Sequence, residues 1–223
     1  MIPNAPEAAR MHSTGSGRRN LLADAWKLVF AWTWATGISL SAMAAEPAST
    51  TPESRFLRFD SVRSSASFEV RVLLMFSVDG QFGSVSGGVH IENEQARVEA
   101  AIDANAVSMN RESNEKWVKS TEFFDVDRHP QIFFESAPFP LDQLRQGGAL
   151  PGTLNMRGVT RPVEFVLEPA KCEQPALDCP VVAHGTVRRS EFGMTTRRGA
   201  LSDKVELNFS IRVLAPAAGS AQP

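Results

Sequence analysis

The feature that most constrains the fold is a strict alternation of apolar and polar residues near the end of the chain. From Val205 to Val213, five apolar side chains alternate with four polar ones. The same two-residue period recurs, less strictly in places, at 68–72, 98–103 and 163–168. Because successive side chains of a strand point to opposite faces, the pattern predicts half-buried antiparallel strands with apolar residues inward. A parallel sheet would show continuous apolar runs instead.

Turn formers separate these runs, and one segment departs from the two-residue period. Turns are predicted at six glycine-containing pairs, residues 79–80, 87–88, 147–148, 151–152, 157–158 and 184–185. Residues 110–121 predict a short helix, capped by Asn110, with Trp117 and Val118 facing inward. We therefore expect an all-β fold with one short helix, either a sandwich or a barrel. A barrel is favoured because closing the sheet leaves no exposed edge strands.

The first 44 residues have the features of an export signal. Arg18 and Arg19 precede a charge-poor apolar run at 28–40, and small residues at 42–44 follow it. This arrangement predicts a secretory signal peptide, residues 1–44, cleaved after Ala44. The run is shorter than the roughly 20 apolar residues that a spanning helix needs, although a retained signal anchor is the alternative. The paired arginines leave the general secretory and twin-arginine routes both open. We expect the protein in the periplasm.

The remaining sequence predicts one folded domain between two segments that are too polar or proline-rich to pack. The linker is residues 45–54, the domain is residues 55–214, and the disordered tail is residues 215–223. Cys172 and Cys179 flank a polar stretch that contains a proline. In an oxidising compartment this predicts a disulfide that closes the loop, with free thiols as the alternative.

Composition excludes several classes of function. A net charge of −2 lacks the basic footprint of a nucleic-acid binder. His90, His129 and His184 are not at metal-binding spacings, and no arrangement of nucleophile and base is visible. We therefore expect neither a metal site nor catalysis. The chain has 14 Phe and no Tyr, which favours an apolar interior with few hydroxyl groups.

Five segments resemble the YceI-like family of bacterial periplasmic proteins. Residues 122–136 are similar to its hallmark segment, with the elements Phe-Phe-Asp, Pro and Phe-x-Ser. Further similar segments follow the family order: Gly80-Gln81-Phe82-Gly83 with Gly87, Arg111 before the helix, residues 152–163, and residues 189–194 with 201–205. Together they span essentially the whole expected domain.

The resemblance implies an eight-stranded, antiparallel, lipocalin-like β-barrel. Its apolar channel is expected to hold an isoprenoid lipid, such as a polyprenyl chain or a quinone tail, and no cofactor. An eight-stranded barrel is just wide enough to fill with side chains or to hold one slender ligand. We expect the channel to be lined by Phe68, Val70, Val72, Phe82, Ile102, Trp117, Phe134, Phe165, Leu207 and Phe209. The alternative is that these side chains pack a filled core, while Phe123 and Phe124 are expected to anchor the helix.

Members of the family often carry histidines at two positions that correspond here to Arg63 and Val72. Arg63 is our candidate for contact with a head group, either a phosphate or a quinone carbonyl, and a lone surface arginine is the alternative. Arginines at 188–189 and 197–198 would attract an anionic head to the barrel mouth, or else belong to a solvated hairpin.

The sequence thus predicts an exported, non-catalytic protein that binds, and carries or stores, an isoprenoid lipid. We expect a monomer or homodimer in transient contact with the membrane or with a membrane donor or acceptor protein. The alternative is a scaffold or stress-related interaction protein of the same fold with a filled core.

Overall fold

A computed structural model describes residues 54–73, 75–197 and 199–215. The expected signal peptide at 1–44 lies outside the described residues, as do the linker up to residue 53 and residues 216–223 of the expected tail. Ser54, which we expected to end the linker, is the first residue of a strand.

Strands make up most of the described part of the chain. They are β1 (Ser54–Arg58), β2 (Ser65–Val72), β3 (Phe76–Phe82), β4 (Val85–Glu92), β5 (Gln95–Asp103), β6 (Val107–Met109), β7 (Gln131–Ser136), β8 (Phe139–Pro140), β9 (Gly148–Met156), β10 (Val159–Leu167), β11 (Val181–Arg188) and β12 (Leu201–Ile211). Two α-helices, α1 (Glu112–Lys119) and α2 (Gln143–Gln146), and two 3-10 turns, Ala104–Ala106 and Arg189–Phe192, complete the described structure.

The strands form one strongly curled antiparallel sheet. Its order is β1-β4-β5-β7-β9-β10-β11-β12-β2-β3-β6, with β8 paired to β5. The segments that directly follow β1 and β12 also pair with each other, because Phe59 and Val213 form an isolated antiparallel β-bridge. The predicted antiparallel, mostly β architecture is confirmed, and the 205–213 alternation lies on β12 and the bridge that follows it.

The number of elements differs from the prediction of eight strands and one helix. Twelve strands occur in the described residues because two long stretches are each interrupted and the short strands β1 and β8 add two more. Residues 83–84 separate β3 from β4, and the turn Ala104–Ala106 separates β5 from β6. These two interruptions face each other, since the backbone N–H of Gly83 donates to the carbonyl of Ala106. The helix α2 was missed because four residues with one apolar side chain show no periodicity.

The predicted helix at 110–121 corresponds to α1, but its start differs. Arg111 rather than Asn110 is the N-cap residue, and its side chain makes no capping hydrogen bond. Instead, the Glu115 carboxylate turns back to accept a hydrogen bond of 2.9 Å from the backbone N–H of Met109. This bond ties the first turn of α1 to the end of β6.

The predicted disulfide between Cys172 and Cys179 is present, with a Cα–Cα distance of 6.1 Å. It closes the connection between β10 and β11. No free cysteine occurs among the residues that the structure describes.

Most of the glycine pairs predicted to be turns lie inside strands, next to phenylalanine rings. Gly80 pairs with Phe68 across β2 and β3, and a Cβ at Gly80 would overlap the Phe68 ring. A Cβ at Gly152 would lie 2.6 Å from the Phe134 ring, and Gly88 and Gly185 are similarly close to Phe56 and Phe165. These glycines therefore provide space for an aromatic ring on the neighbouring strand. The turn prediction was correct at 157–158 and at 147–148.

The Gly80–Phe68 contact yields a stability prediction. Gly80→Ala forces the Phe68 ring out of its position in the sheet and should lower the free energy of unfolding by about 1–3 kcal/mol. Gly199→Ala is the matched control, because no heavy atom lies within 4 Å of a Cβ there, and it should change stability by less than about 0.5 kcal/mol. Urea unfolding of both variants measures the difference; equal effects would contradict it.

Candidate functional site

The concave face of the sheet and α1 surround an apolar cavity of about 470 Å³. Its wall comes from strands that are distant in sequence, above all β2, β5, β9, β11 and β12. The space is lined by large buried side chains such as Phe165, which is 2% exposed. The interior of the curled sheet is therefore only partly filled by side chains.

All ten residues that we expected to line the channel lie on the wall of this cavity. They are Phe68, Val70, Val72, Phe82, Ile102, Trp117, Phe134, Phe165, Leu207 and Phe209. Their contact with a ligand stays a prediction.

Six phenylalanines of the wall form two clusters of three rings each. Phe68, Phe82 and Phe124 lie with ring centroids 5.7–5.9 Å apart. The rings of Phe134 and Phe209 each lie 5.1 Å from Phe165 in edge-to-face contacts. Edge-to-face packing holds the rings in fixed positions, so these contacts stabilise the shape of the wall.

Sequence reasoning missed part of the wall. Phe123 and Phe124 were expected to anchor the helix, and both line the cavity, although the Phe123 ring also packs 4.4 Å from Trp117. Leu150, Leu154 and Met156 of β9 line it as well. Their even-numbered spacing is a strand signal, but Pro151 and Gly152 obscured it.

The mouth of the cavity is marked by two arginines. Arg111 and Arg197 are the only exposed side chains among the described residues that line the cavity. The guanidinium of Arg197 lies 4.7 Å above the ring of Trp117, which is half-buried and belongs to α1. Within the described ranges, neither arginine has a carboxylate within ion-pairing distance. We call the surface formed by Arg111, Asn114, Trp117 and Arg197 the mouth.

Arg63, our sequence-based candidate for the head group, does not line the cavity. Its Nε donates a hydrogen bond of 2.6 Å to Asp60, and its side chain is more than half exposed. This hydrogen bond, together with backbone N–H donors of Arg63 and Val62, holds the pKa of Asp60 below its ordinary value. The structure thus places Arg63 in a surface turn before β2, and the geometry gives no support for its contact with a ligand.

A buried arginine supports the segment that carries Arg197. Arg189 is 2% exposed and donates hydrogen bonds to the carbonyls of Ser202, Met194 and Leu201. Burial raises the pKa of the nearby Asp203. Hydrogen bonds from the side chain and backbone of Ser190, together with the charge of Arg189, lower this pKa by more than burial raises it, so the net shift is downward. Arg189 therefore connects both sides of the loop between β11 and β12.

The segment that follows α1 contains two aspartates, Asp125 and Asp127. Asp125 is buried, pairs with Arg128, and its carbonyl accepts hydrogen bonds from the backbone N–H groups of Arg128 and His129. In the part of the chain that the structure covers, no group of three potential metal-ligating side chains comes together. None of the helices described there is long and apolar enough to cross a membrane.

A family model described as a YceI-like domain matches residues 57–213. Among curated proteins, a UPF0312 protein of Pectobacterium carotovorum is 28% identical over 141 residues, which cover 59% of this chain and 71% of the relative. A UPF0312 protein of Serratia proteamaculans is 28% identical over 138 residues, with the same coverage of both chains.

Two solved structures share the fold. A polyisoprenoid-binding domain from Saccharophagus degradans, implicated in plant cell wall breakdown, has a TM-score of 0.55 at 14% identity and covers 72% of this chain and 98% of its own. Burkholderia cenocepacia BcnA has a TM-score of 0.56 at 18% identity and covers 68% of this chain and 96% of its own. At these identities the likeness concerns the fold alone.

Arg189 provides the prediction for this region. Arg189→Met leaves three carbonyls, two of them in buried hydrogen bonds, without this donor and should lower the free energy of unfolding by about 3 kcal/mol or more. Arg188→Met is the control. Arg188 is largely exposed and its ion pair with Asp203 is long, at 3.7 Å, so the substitution should lower the free energy of unfolding by less than about 1 kcal/mol. Urea unfolding distinguishes the two; equal losses would show that Arg189 is no more important than its exposed neighbour.

Proposed function

The chain belongs to the YceI-like family, and from that premise we propose that it is a non-catalytic binding protein for a lipid with a long apolar chain. The ligand is an isoprenoid, such as a polyprenyl chain or a quinone tail, and it occupies the cavity. The observation that carries the proposal is the cavity of about 470 Å³ with its wall of Phe, Val, Leu and Ile. Ligand pockets typically measure about 300–1,000 Å³ and are lined mainly by apolar side chains.

The wall selects for hydrocarbon. Inside the mouth, Ser67 and Arg189 are the polar residues among the described wall, and Arg189 donates to protein carbonyls. A polar ligand would lose its hydrogen bonds to water there without replacement, which costs several kcal/mol. A cavity of about 150 Å³ admits one benzene molecule. The cavity therefore has room for roughly three molecules of that size, or about four isoprene units, and a longer chain extends through the mouth.

The head group is placed at the mouth rather than at Arg63. Arg111 and Arg197 are exposed, lie where the cavity meets solvent, and are without carboxylate partners in the described residues. A guanidinium group donates to phosphate or carbonyl oxygens. The tail then extends inward past Trp117.

We further propose that the curled sheet closes into a barrel. The two residues between β3 and β4, and the turn between β5 and β6, are bends in two continuous stretches of chain. If β3 with β4, and β5 with β6, are each counted as one bent strand, eight long strands remain besides the short β1 and β8. The pairing of β4 with β5 and of β3 with β6 joins the two ends of the sheet through the same hairpin. This continuity supports an eight-stranded lipocalin-like barrel.

Export to the periplasm completes the proposal. The segment 1–44 has a basic start, an apolar run and a small-residue site. The disulfide between Cys172 and Cys179 is compatible with an oxidising compartment. The filled-core scaffold is the alternative that the cavity disfavours, because a scaffold needs no space of this size.

The test is organic extraction of the protein purified after expression with its leader in a Gram-negative host. We expect mass spectrometry to find a long apolar molecule in near-equal molar amount. Val70→Phe places a ring in the cavity and should lower the ligand content severalfold. Val166→Phe adds the same volume on an exposed position of β10 and should leave it unchanged. The absence of any apolar molecule, or equal content in both variants, would contradict the proposal.

The head-group assignment has its own test. Replacing Arg111 and Arg197 by Ala should weaken binding of farnesyl phosphate by about tenfold, because charge-assisted hydrogen bonds are lost. Binding of farnesol should change little, since it lacks the phosphate. Arg63→Ala is the control and should affect neither ligand. Isothermal titration calorimetry measures the affinity for both ligands. If only Arg63→Ala weakened the binding of farnesyl phosphate, the head group would be assigned to Arg63 instead.

A further inference from the structure

Where β2 turns into β3, three of the described residues are large, apolar and exposed. Leu73 is 57% exposed, Met75 77% and Phe76 62%. They follow one another closely in a run of apolar residues, 72–76, in the sequence. Single exposed apolar residues are common on protein surfaces, but a cluster of this kind marks a contact site for protein or membrane.

The backbone conformation of this turn is unfavourable for the apolar residue that it carries. Leu73 has φ of 49°, in the left-handed region that Gly, Asn and Asp favour. A polar turn residue would satisfy both the backbone and the solvent at this position. Strained positions of this kind are concentrated at functional sites.

The turn lies beside the mouth. The backbone N–H of Leu73 donates a hydrogen bond of 2.8 Å to the carbonyl of Ala200, in the loop that carries Arg197. Val72 and Ala200 both line the cavity. Arg71, in β2, and Arg197, in that loop, are both exposed. Glu69, farther along the same hairpin, accepts a hydrogen bond from Ser77.

We propose that Leu73, Met75 and Phe76, called here the apolar tip, dock into the surface of a phospholipid bilayer. Arg71 and Arg197 then lie at the level of anionic lipid headgroups, and the mouth faces the membrane. Apolar side chains flanked by cations are the pattern by which proteins bind to membrane interfaces. The proposal does not depend on which lipid the cavity holds.

A second copy of the chain is a less suitable occupant of the tip. A stable interface covers about 800 Å² on each partner. Three side chains at the end of one hairpin offer far less than that. A bilayer requires no complementary surface, and a tip that penetrates only the headgroup region is sufficient for reversible binding.

The experiment uses a single fluorophore. Because Cys172 and Cys179 are joined in a disulfide, Met75→Cys or Val62→Cys introduces one reactive thiol for the environment-sensitive dye NBD. Val62 is 91% exposed and precedes β2, whereas Met75 follows it. The two labels are separated by the eight residues of β2, about 26 Å. Each labelled protein is mixed with vesicles of phosphatidylethanolamine and phosphatidylglycerol at 3:1.

We expect NBD at position 75 to gain about twofold in fluorescence and shift to the blue on vesicles, and NBD at position 62 to change little. A triple variant, Leu73→Asn, Met75→Ser and Phe76→Thr, should sediment about tenfold less with the same vesicles than the unsubstituted protein. Asn tolerates the left-handed conformation and Thr favours strands, so the hairpin is retained.

Three results would overturn the proposal. The first is an unchanged signal at position 75, and the second is an equal change at positions 75 and 62. The third is a change at position 75 that rises with protein concentration in the absence of vesicles, which would assign the tip to a second copy. The lipid extraction described above is unaffected by any of them, so the two proposals fail separately.

Discussion

The cavity depends on contacts between phenylalanine rings and glycines in neighbouring strands. A curled antiparallel sheet directs every second side chain into its interior, and large side chains there would fill the space. Where Gly80, Gly152 and Gly185 lie beside Phe68, Phe134 and Phe165, each ring packs close to the sheet rather than extending inward. The rings thus add apolar area to the wall while leaving the centre unfilled. This arrangement explains how a Phe-rich, Tyr-free sequence retains a cavity.

The same contacts explain which parts of the fold could be predicted from the sequence. On β12 the alternation is uninterrupted, so the inward positions of Leu207 and Phe209 followed from the two-residue period. On β9 the period is interrupted by Pro151 and Gly152, and the inward residues Leu150 and Leu154 were missed. A glycine next to an aromatic ring on another strand has the same local sequence as a turn glycine. Only the cross-strand register distinguishes them.

The mouth could be predicted only in part, because the arginines at 197–198 were expected near it but Arg111 was not. Arg111 precedes α1, and Arg197 lies in the loop before β12, so nothing local in the sequence brings them to one place. Their proximity depends on the stacking of Arg197 over Trp117 and on the buried Arg189, whose three hydrogen bonds join the two sides of the loop. From the sequence alone, the buried Arg189, the exposed Arg197 and the surface-turn Arg63 cannot be told apart. Burial and partners, not residue type, decide the role of each.

A cavity lined by apolar side chains creates a problem of ligand access that the position of the apolar tip addresses. A long isoprenoid chain is almost insoluble, since each buried CH₂ group favours an apolar environment by about 0.8 kcal/mol. A free chain therefore stays in the bilayer, and transfer through water would be slow. A protein whose mouth faces the membrane removes that step, because the chain passes from one apolar environment to another. The hydrogen bond between Leu73 and Ala200 places the exposed apolar turn and the arginine of the mouth together. If the tip docks as proposed, transfer without an aqueous step follows from how this one hairpin is attached.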